Sequence, residues 1–504
     1  MNTQRRILFI ILIALGGLLL PRRGRTQSPP DTAEIDRFIA SQMAAQRIPG
    51  LALAVVQGDQ VTYLQGYGTD GAKQPVTPQT QFHIASLSKS FTATAVMQLV
   101  EAGELDLDAP VVRYLPDFTL ADPGAAEQIT LRQLLNHTSG LSDGGVADLR
   151  LERPATTADR IATLHDAHTV APPGREFHYT DVNYQILASV VETASGQPFS
   201  DYLGAHIFAP LQMTDTVNVL SSFEVAKEAP ALPQGHLLAY GVPVASGEEQ
   251  GYLGGSAGVI TTAADMAHYL ILHNNGGRFG GAEIVSPAGV ETMHTPPAGI
   301  DSDYAMGWVS HTAAGGGGGD GADEGADDGG GRRVLEHNGI LSTFYAETVL
   351  LPDTGQGFVL LYNIHSLDQD LLGYPPIKQG LIDLLTGGQP APIGFNVGLL
   401  SIVIAATTLV SVGFELRGLW RLPRWREQAA ARPWWRHVWT LAWAFTPAAF
   451  VLAFPAIVLS TSDRAFGYLT LYRSMIGVMT WLGLCAVLGV INGLARAAWL
   501  VRRR

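Results

Sequence analysis

The sequence predicts an α+β fold, in which an antiparallel sheet is flanked by helices and carries a helical subdomain, followed by three C-terminal transmembrane helices. Strand-like segments lie at both ends of a long region with helical segments between them, so the two ends are expected to pair into one sheet. Three later stretches of about 20 residues are almost free of charge, which is long enough to cross a membrane. The chain of 504 residues therefore divides into a domain over 31–388 and a membrane domain over 389–504.

The N-terminal end of the domain predicts one helix and one hairpin. Apolar residues recur at helical spacing over 31–46, which indicates an amphipathic helix. Residues 51–57 and 60–68 are rich in β-branched residues and flank Gly58 and Asp59, a pattern typical of a β-hairpin.

The other end of the domain predicts further strands over 304–310, 332–339, 344–351 and 357–363, followed by a helix over 371–385. Between the first two of these strands, residues 313–331 consist mainly of Gly and Asp. Such a composition cannot bury a core, so a flexible loop is expected there.

The N-terminal 27 residues predict a signal peptide or an N-terminal anchor. Arg5 and Arg6 precede an apolar run over 7–20, which is too short for a typical membrane span but has the length of a signal-peptide core. Arg22 and Arg23 follow soon after, and both removal and retention of the segment stay open.

The C-terminal part predicts membrane spans near 393–414, 438–459 and 475–495. Six arginines lie between the first two spans, and three more end the chain, so both segments are expected on the cytoplasmic side. With three spans, the domain is expected on the extracytoplasmic side of a cell membrane. The whole chain is then expected to be a multi-pass protein in contact with membrane lipid. Buried core helices of a soluble protein are the alternative interpretation.

Composition excludes several classes of function. The net charge of −13 argues against a nucleic-acid partner, because phosphate binding needs clustered Lys and Arg. Cys485 is the only cysteine and lies in a predicted span, so the domain has neither a thiol nucleophile nor a cysteine zinc site. Its sequence also contains no metal-ligand cluster, phosphate-binding loop or dinucleotide fingerprint, and no cofactor is expected.

Ser86 and Lys89 are the first candidates for catalysis. They stand three residues apart at the start of a helical segment, which puts them on one face within hydrogen-bond reach. A serine hydroxyl needs a neighbouring base, and an amine can be that base if its pKa is lowered by burial or nearby positive charge. The alternative is an ordinary serine at a helix start beside a solvated lysine.

Four further stretches indicate a resemblance to one protein family. Residues 134–141, 177–192, 207–216 and 256–270 resemble, in order and spacing, landmarks of the serine β-lactamase-like family, which includes class C β-lactamases, D,D-peptidases, penicillin-binding proteins and related esterases. The resemblance covers about residues 32–387. It implies the β-lactamase/transpeptidase-like fold and an acyl-serine mechanism with Ser86 as nucleophile.

The resemblance also implies roles for Tyr179 and Asp181. The family motif Tyr-x-Asn is Tyr179-Thr180-Asp181 in this sequence, so an aspartate replaces the asparagine. Tyr179 would share the role of base with Lys89, its phenolate favoured by nearby cations. Asp181 is expected to line the substrate site, without the contact that the asparagine amide makes to a substrate in the family. A buried structural tyrosine is the alternative for Tyr179.

The third family motif, Lys-Thr-Gly or His-x-Gly, matches His337-Asn338-Gly339. By resemblance, His337 would supply a donor or a positive charge to the substrate, and Gly339 would let the substrate backbone approach closely. The backbone N–H groups of Ser86 and Ile340 would form the oxyanion hole. Many relatives have glycine where Thr343 stands, so a local difference in the strand is expected.

Ser256 is a competing nucleophile, because residues 254–258 satisfy Gly-x-Ser-x-Gly. That motif requires an apolar strand before the serine, and residues 247–253 do not provide one. We therefore expect Ser256 to be a turn residue.

These observations predict a membrane-anchored extracytoplasmic serine hydrolase that cleaves an amide or ester of the D-Ala peptide, β-lactam or simple ester type. Its substrate is a small molecule or a peptide. Asp181 and His337 favour a peptidase or esterase over an efficient β-lactamase. The alternative is a penicillin-binding receptor that is acylated without turnover.

Overall fold

A computed structural model describes residues 32–146, 156–313, 331–429, 431–462 and 464–502. The predicted N-terminal signal or anchor over 1–27 lies outside the described residues, as does nearly all of the predicted loop over 313–331.

Seven strands form one antiparallel sheet that joins the two ends of the domain. The strands are β1 (Gly50–Gln57), β2 (Gln60–Gly68), β3 (Tyr304–Ala305), β4 (Trp308–Ala313), β5 (Arg332–Ile340), β6 (Tyr345–Leu351) and β7 (Gln356–Tyr362). Their order is β3-β4-β5-β6-β7-β1-β2, and β1 pairs with β7 from Leu51 opposite Tyr362 to Gln57 opposite Gln356. The sheet predicted from the two ends is confirmed.

Both faces of the sheet are covered, which explains why β1 is apolar at nearly every position. Ala52 and Ala54 belong to the core on one face, and Leu51 and Leu53 belong to the core on the other. Successive side chains of a strand point to opposite faces, so a strand buried on both faces has no polar side. The second face packs on α1 (Thr32–Gln46) and the helix Tyr374–Leu385.

Two predicted elements differ in detail from the structure. The single strand expected over 304–310 is split into β3 and β4 by a turn at Gly307, which has φ +82° and a backbone close to that of Ser90. The helix expected over 371–385 is two helices, Leu367–Leu372 and Tyr374–Leu385, which meet at Gly373.

The helical subdomain occupies the middle of the chain. Its longer helices are α2 (Ser88–Glu101), α3 (Asp181–Ser195) and α4 (Ala263–Asn274). The shorter helices are Pro123–Ala126, Leu131–Leu135, Thr157–Ala162, Phe199–Leu203, Val225–Glu228, Gly254–Ala257 and Pro287–Met293. Short strands Phe82–His83, Val217–Asn218 and Val259–Thr261 form a small sheet, Gly235–Ala239, Val242–Ser246 and Ile364–His365 form another, and Arg278–Phe279 pairs with Ala282–Glu283.

Three C-terminal helices are long and apolar enough to cross a membrane: α5 (Val397–Trp420), α6 (Trp434–Ser462) and α8 (Ile476–Val501). Leu422–Ala429 follows α5, and α7 (Tyr468–Ser474) precedes α8. Small residues let α6 and α8 pack closely, since a Cβ on Gly489 would lie 2.4 Å from the carbonyl oxygen of Ala444. The helices also contact the domain, where Gln46 Oε1 accepts from the N–H of Val397 at 3.2 Å.

Candidate active site

Ser86 lies on a tight turn between a strand and a helix. The strand Phe82–His83 leads into the 3₁₀ turn Ala85–Leu87, and α2 follows directly. Ala85 has φ +46°, a left-handed conformation that is unfavourable for a residue with a Cβ. This turn leaves Ser86 partly exposed while its neighbours Ala85 and Leu87 are buried.

Strand β5 lies directly against this turn because of Gly339. A Cβ on Gly339 would be 2.0 Å from the carbonyl oxygen of Ile84 and 3.1 Å from the Ser86 nitrogen. Gly339 was expected to admit substrate backbone. The close approach found here is that of the Ser86 turn itself, and it holds Ile340 and Ser86 along the same cavity.

Lys89 is fully buried and makes three hydrogen bonds. Its Nζ donates to Ser86 Oγ at 3.0 Å, to Asp181 Oδ1 at 2.6 Å and to the carbonyl oxygen of Ser256 at 3.1 Å. The hydrogen-bond contact expected between residues 86 and 89 is therefore present. Asp181 begins α3, so the pairing joins the starts of two helices from different parts of the chain.

The charge state of Lys89 differs from the one that the sequence led us to expect. Burial alone would lower the pKa of Lys89, but the Asp181 carboxylate and Tyr179 outweigh it, and the pKa is raised. Burial would raise the pKa of Asp181, yet the charges of Lys89 and Arg464 hold it well below its usual range. Lys89 is thus a protonated donor to Ser86 in the resting site.

Tyr179 lies between two cations. Lys89 Nζ is 4.9 Å from the centre of its ring, and the Arg464 guanidinium carbon is also 4.9 Å from it. The ring packs on His137 at 4.3 Å between centroids. Burial and the charge of Lys89 hold the pKa of His137 well below its usual range, so this neighbour is neutral. Negative charge on the Tyr179 oxygen would be stabilised by the two cations.

His337 is buried in β5, and both of its ring nitrogens have partners within the protein. Nδ1 donates to the carbonyl oxygen of Asn338 at 2.6 Å, and the Tyr304 hydroxyl donates to Nε2 at 3.3 Å. Burial and the charge of Lys89 lower the pKa of His337 to about 4. A neutral His337 supplies no positive charge to a substrate.

Thr343 helps to fix the turn between β5 and β6. The Glu248 carboxylate accepts hydrogen bonds from the N–H and the hydroxyl of both Ser342 and Thr343, at 2.5 to 3.0 Å. Glu248 and Ser342 also line the cavity beside Ile340.

Ser256 has a hydroxyl that is engaged in a hydrogen bond within its own segment. It is buried, and Oγ donates to the carbonyl oxygen of Leu253 at 2.7 Å. Its own carbonyl oxygen accepts from Lys89, so the segment Gly254–Ala257 helps to hold the lysine in place.

Arg464 is a residue of the site that the sequence did not predict. It lies between α6 and α7, and its guanidinium pairs with Asp143 Oδ2 at 2.8 Å and with Asp181 Oδ2 at 3.1 Å. Burial would lower the pKa of Arg464, but Asp181 and Asp143 raise it. Asp143 lies just after the stretch over 134–141 that resembles a family landmark, but the sequence assigned Asp143 no role in the site.

Several of these residues line one cavity of about 730 Å³, a size typical of ligand sites. Ser86, Tyr179, Asp181, His337 and Ile340 are among its lining residues. Within the part of the chain that the structure describes, no group of three or more His, Cys, Asp or Glu side chains is placed to hold a metal ion.

Comparison with known proteins agrees with this architecture. The family model described as Beta-lactamase matches residues 35–375, which is more than half of the chain. Penicillin-binding protein 4 of Amycolatopsis lactamdurans is 33% identical over 290 residues, which cover 54% of this chain and 72% of that protein. Protein flp of Staphylococcus aureus strain MW2 is 26% identical over 338 residues, or 66% of this chain, and the match spans 63% of the length of Protein flp.

Solved structures share the fold. The octameric penicillin-binding protein homologue from Pyrococcus abyssi is 26% identical, with a TM-score of 0.58 over 72% of this chain and 79% of that one. A putative β-lactamase from Bacteroides dorei is 22% identical with a TM-score of 0.54, over 71% of this chain and 99% of that one, and this likeness concerns the fold alone. These findings show that the chain belongs to the beta-lactamase family of serine hydrolases and that it is similar to penicillin-binding proteins.

Proposed function

We propose that this protein is a membrane-anchored, extracytoplasmic serine hydrolase that cleaves an ester or amide through an acyl-Ser86 intermediate. The observation that carries the proposal is the hydrogen bond from buried Lys89 Nζ to Ser86 Oγ at 3.0 Å, at the edge of a cavity large enough for a substrate. The family supports hydrolysis, and the three long apolar helices support a membrane anchor.

In the proposed reaction, Tyr179 reacts as the phenolate, and Ser86 Oγ attacks the carbonyl carbon as its proton passes to the tyrosine oxygen. Lys89 and Arg464 stabilise the phenolate before the transfer, and protonated Lys89 stabilises the charge that develops on Ser86 Oγ. The backbone N–H groups of Ser86 and Ile340 receive the charge on the carbonyl oxygen. The bond to the leaving group then breaks, and the leaving group takes the proton.

Water completes the cycle by attacking the acyl-serine carbonyl. Its proton passes to Tyr179 as before and from there to Ser86 Oγ, which leaves as the acid product is released. Asp181 positions Lys89. It takes up no proton during the reaction, because its pKa is held low.

The charges of the site favour a neutral ester or amide over a substrate with a carboxylate next to the scissile bond. Lys89 and Arg464 are both paired with Asp181, and Arg464 is paired with Asp143 as well. His337 is neutral at physiological pH. β-Lactams and D-Ala peptides carry a carboxylate that needs an unpaired cation. We therefore propose esters and uncharged amides as better substrates than these two classes.

The test compares hydrolysis of p-nitrophenyl butyrate and labelling by a fluorescent penicillin in the full chain, in Ser86→Ala and in Ser256→Ala. Ser86→Ala should lose butyrate hydrolysis by about a thousandfold or more, and Ser256→Ala should keep most of it. Retained activity in Ser86→Ala would overturn the proposal. Penicillin labelling that persists for hours without any turnover would support the acylated receptor instead.

A further inference from the structure

We propose that the substrate is an amphiphile with a hydrocarbon chain, which the protein takes from the membrane and holds in an apolar extension of the active-site cavity. This inference rests on the proposed function and names its substrate class. The apolar extension is defined by Phe454, Val458, Phe466, Leu471 and Met475, which line the same cavity as Ser86.

The wall of the extension comes from the membrane domain. Phe454 and Val458 belong to α6, and Leu471 belongs to α7. Leu471 and Met475 are only 3% and 9% exposed, and they pack in one cluster with Phe454, Val458 and Phe466. A hydrocarbon chain in contact with these side chains would be removed from water, which is the main favourable term for binding an apolar group.

The extension also reaches the depth of the membrane. Val458 and Phe454 lie four and eight residues before Ser462, where α6 ends, and so about 6 and 12 Å along the helix axis from that end. Both belong to the charge-free stretch over 438–459, which a bilayer would surround. One end of the cavity is therefore at Ser86 and the other lies beside the hydrocarbon region.

Polar contacts hold the wall against the domain on both sides of the cavity. Arg464 pairs with Asp143 and Asp181, and farther along the same connection Thr470 Oγ1 donates to Glu249 Oε2 at 3.1 Å. Arg473 Nη2 donates to the carbonyl oxygen of Gly247 at 2.5 Å. Contacts at both ends of residues 464–475 indicate a fixed wall, built so that the polar end faces the reacting groups and the apolar end faces lipid.

The chemistry of such a substrate follows from this arrangement. The scissile ester or amide would lie at Ser86, where the paired charges suit a neutral group. The hydrocarbon chain would lie along Leu471 and Met475 toward Phe454. A cavity of about 730 Å³ has room for a reacting group together with several methylenes.

The experiment uses the full chain in phosphatidylcholine nanodiscs with p-nitrophenyl esters of 4, 8 and 12 carbons, and with acetate esters of alcohols of the same lengths. In one of the two series, kcat/KM should rise by about tenfold or more from 4 to 12 carbons. Because long esters also concentrate in a bilayer, a variant that fills the apolar extension decides the origin of the rise.

Val458→Phe is that variant, and Ile457→Phe is its matched control, because Ile457 directly precedes Val458 on α6 and does not line the cavity. Val458→Phe should remove most of the gain with chain length, while Ile457→Phe keeps the gain and leaves butyrate hydrolysis within about twofold. An equal gain in both variants, or no gain in the parent, would overturn the substrate class. If butyrate hydrolysis depends on Ser86 in those samples, the proposed function stands even when the substrate class fails.

Discussion

Asp181 Oδ1 lies 2.6 Å from Lys89 Nζ, and this ion pair sets the charge of the group beside Ser86. The lysine is fully buried, whereas the aspartate side chain is 35% exposed toward the cavity. An asparagine at position 181 would remove the carboxylate that pairs with the buried lysine charge. The aspartate therefore raises the pKa of Lys89 and makes it a donor rather than a base in the resting enzyme.

Asp181→Asn should move the alkaline limb of the pH dependence of kcat to lower pH, by about one to three units. Lys89 must be protonated in the proposed reaction, so activity is lost as the pH rises through its pKa, and the substitution lowers that pKa. Steady-state kinetics between pH 5 and 11 measure the limb, with exposed Asp201→Asn as control. An activity that instead increases with pH through the shifted pKa would identify neutral Lys89 as the base.

Gly339→Ala should destabilise the domain by about 1 to 3 kcal/mol and abolish ester hydrolysis. The added methyl group would lie 2.0 Å from the carbonyl oxygen of Ile84, so β5 or the Ser86 turn must move. Thermal unfolding in detergent measures the first effect and turnover measures the second. Gly204→Ala is the control, because nothing lies within 4 Å of a Cβ there, and it should leave both unchanged. Full activity in Gly339→Ala would contradict the close contact between β5 and Ser86.

Arg464→Ala should lower stability at neutral pH and have a smaller effect at pH 4. Burial raises the pKa of Asp143, and the charge of Arg464 opposes that shift, so removing the arginine makes the charged carboxylate more costly to bury. As the pH falls toward 4, Asp143 in the variant takes up a proton and the cost disappears. Melting temperatures of the parent and the variant at pH 4 to 8 measure the difference. A difference that does not change with pH would argue against the Arg464–Asp143 pair.

The same variant should also reduce kcat, because Arg464 lies over the Tyr179 ring and pairs with Asp181. Arg464→Lys keeps the charge but not the two-sided geometry of the guanidinium, and should recover only part of the rate. Equal rates in Arg464→Ala and the parent would remove Arg464 from the mechanism.

His337→Gln should make folding less sensitive to acid. The pKa of His337 is about 4 in the folded protein and about 6.5 in an unfolded chain, so between these values the unfolded state binds a proton that the folded state excludes. Stability contributed by neutral His337 is thus present above about pH 6.5 and declines down to about pH 4. Melting temperatures at pH 4 to 8 test this, with exposed His165→Gln as control. An unchanged acid dependence in His337→Gln would show that the folded histidine titrates normally.

The sequence predicted much of the fold because the signals were local and periodic. The hairpin of β1 and β2 and the helix after Ser86 each depend on residues that are close in sequence, and the Ser86–Lys89 contact follows from helical spacing. The long apolar helices were equally clear, because three charge-free stretches need no partner to be recognised.

The parts that could not be predicted depend on distant partners. Arg464 and Asp181 are 283 residues apart, and nothing near position 464 indicates that a connection between two apolar helices enters the cavity. The charge of Lys89 and the neutral state of His337 depend on which groups are buried beside them. Sequence spacing contains no such information, since a pKa is set by the folded environment.

Peptide mapping by mass spectrometry after brief incubation with p-nitrophenyl dodecanoate and acid quenching locates the acyl group on the protein. We expect one acyl group on the peptide that contains Ser86, and no adduct in Ser86→Ala. An acyl group on the peptide that contains Ser256, or an acyl group that still forms in Ser86→Ala together with turnover, would contradict acylation of Ser86.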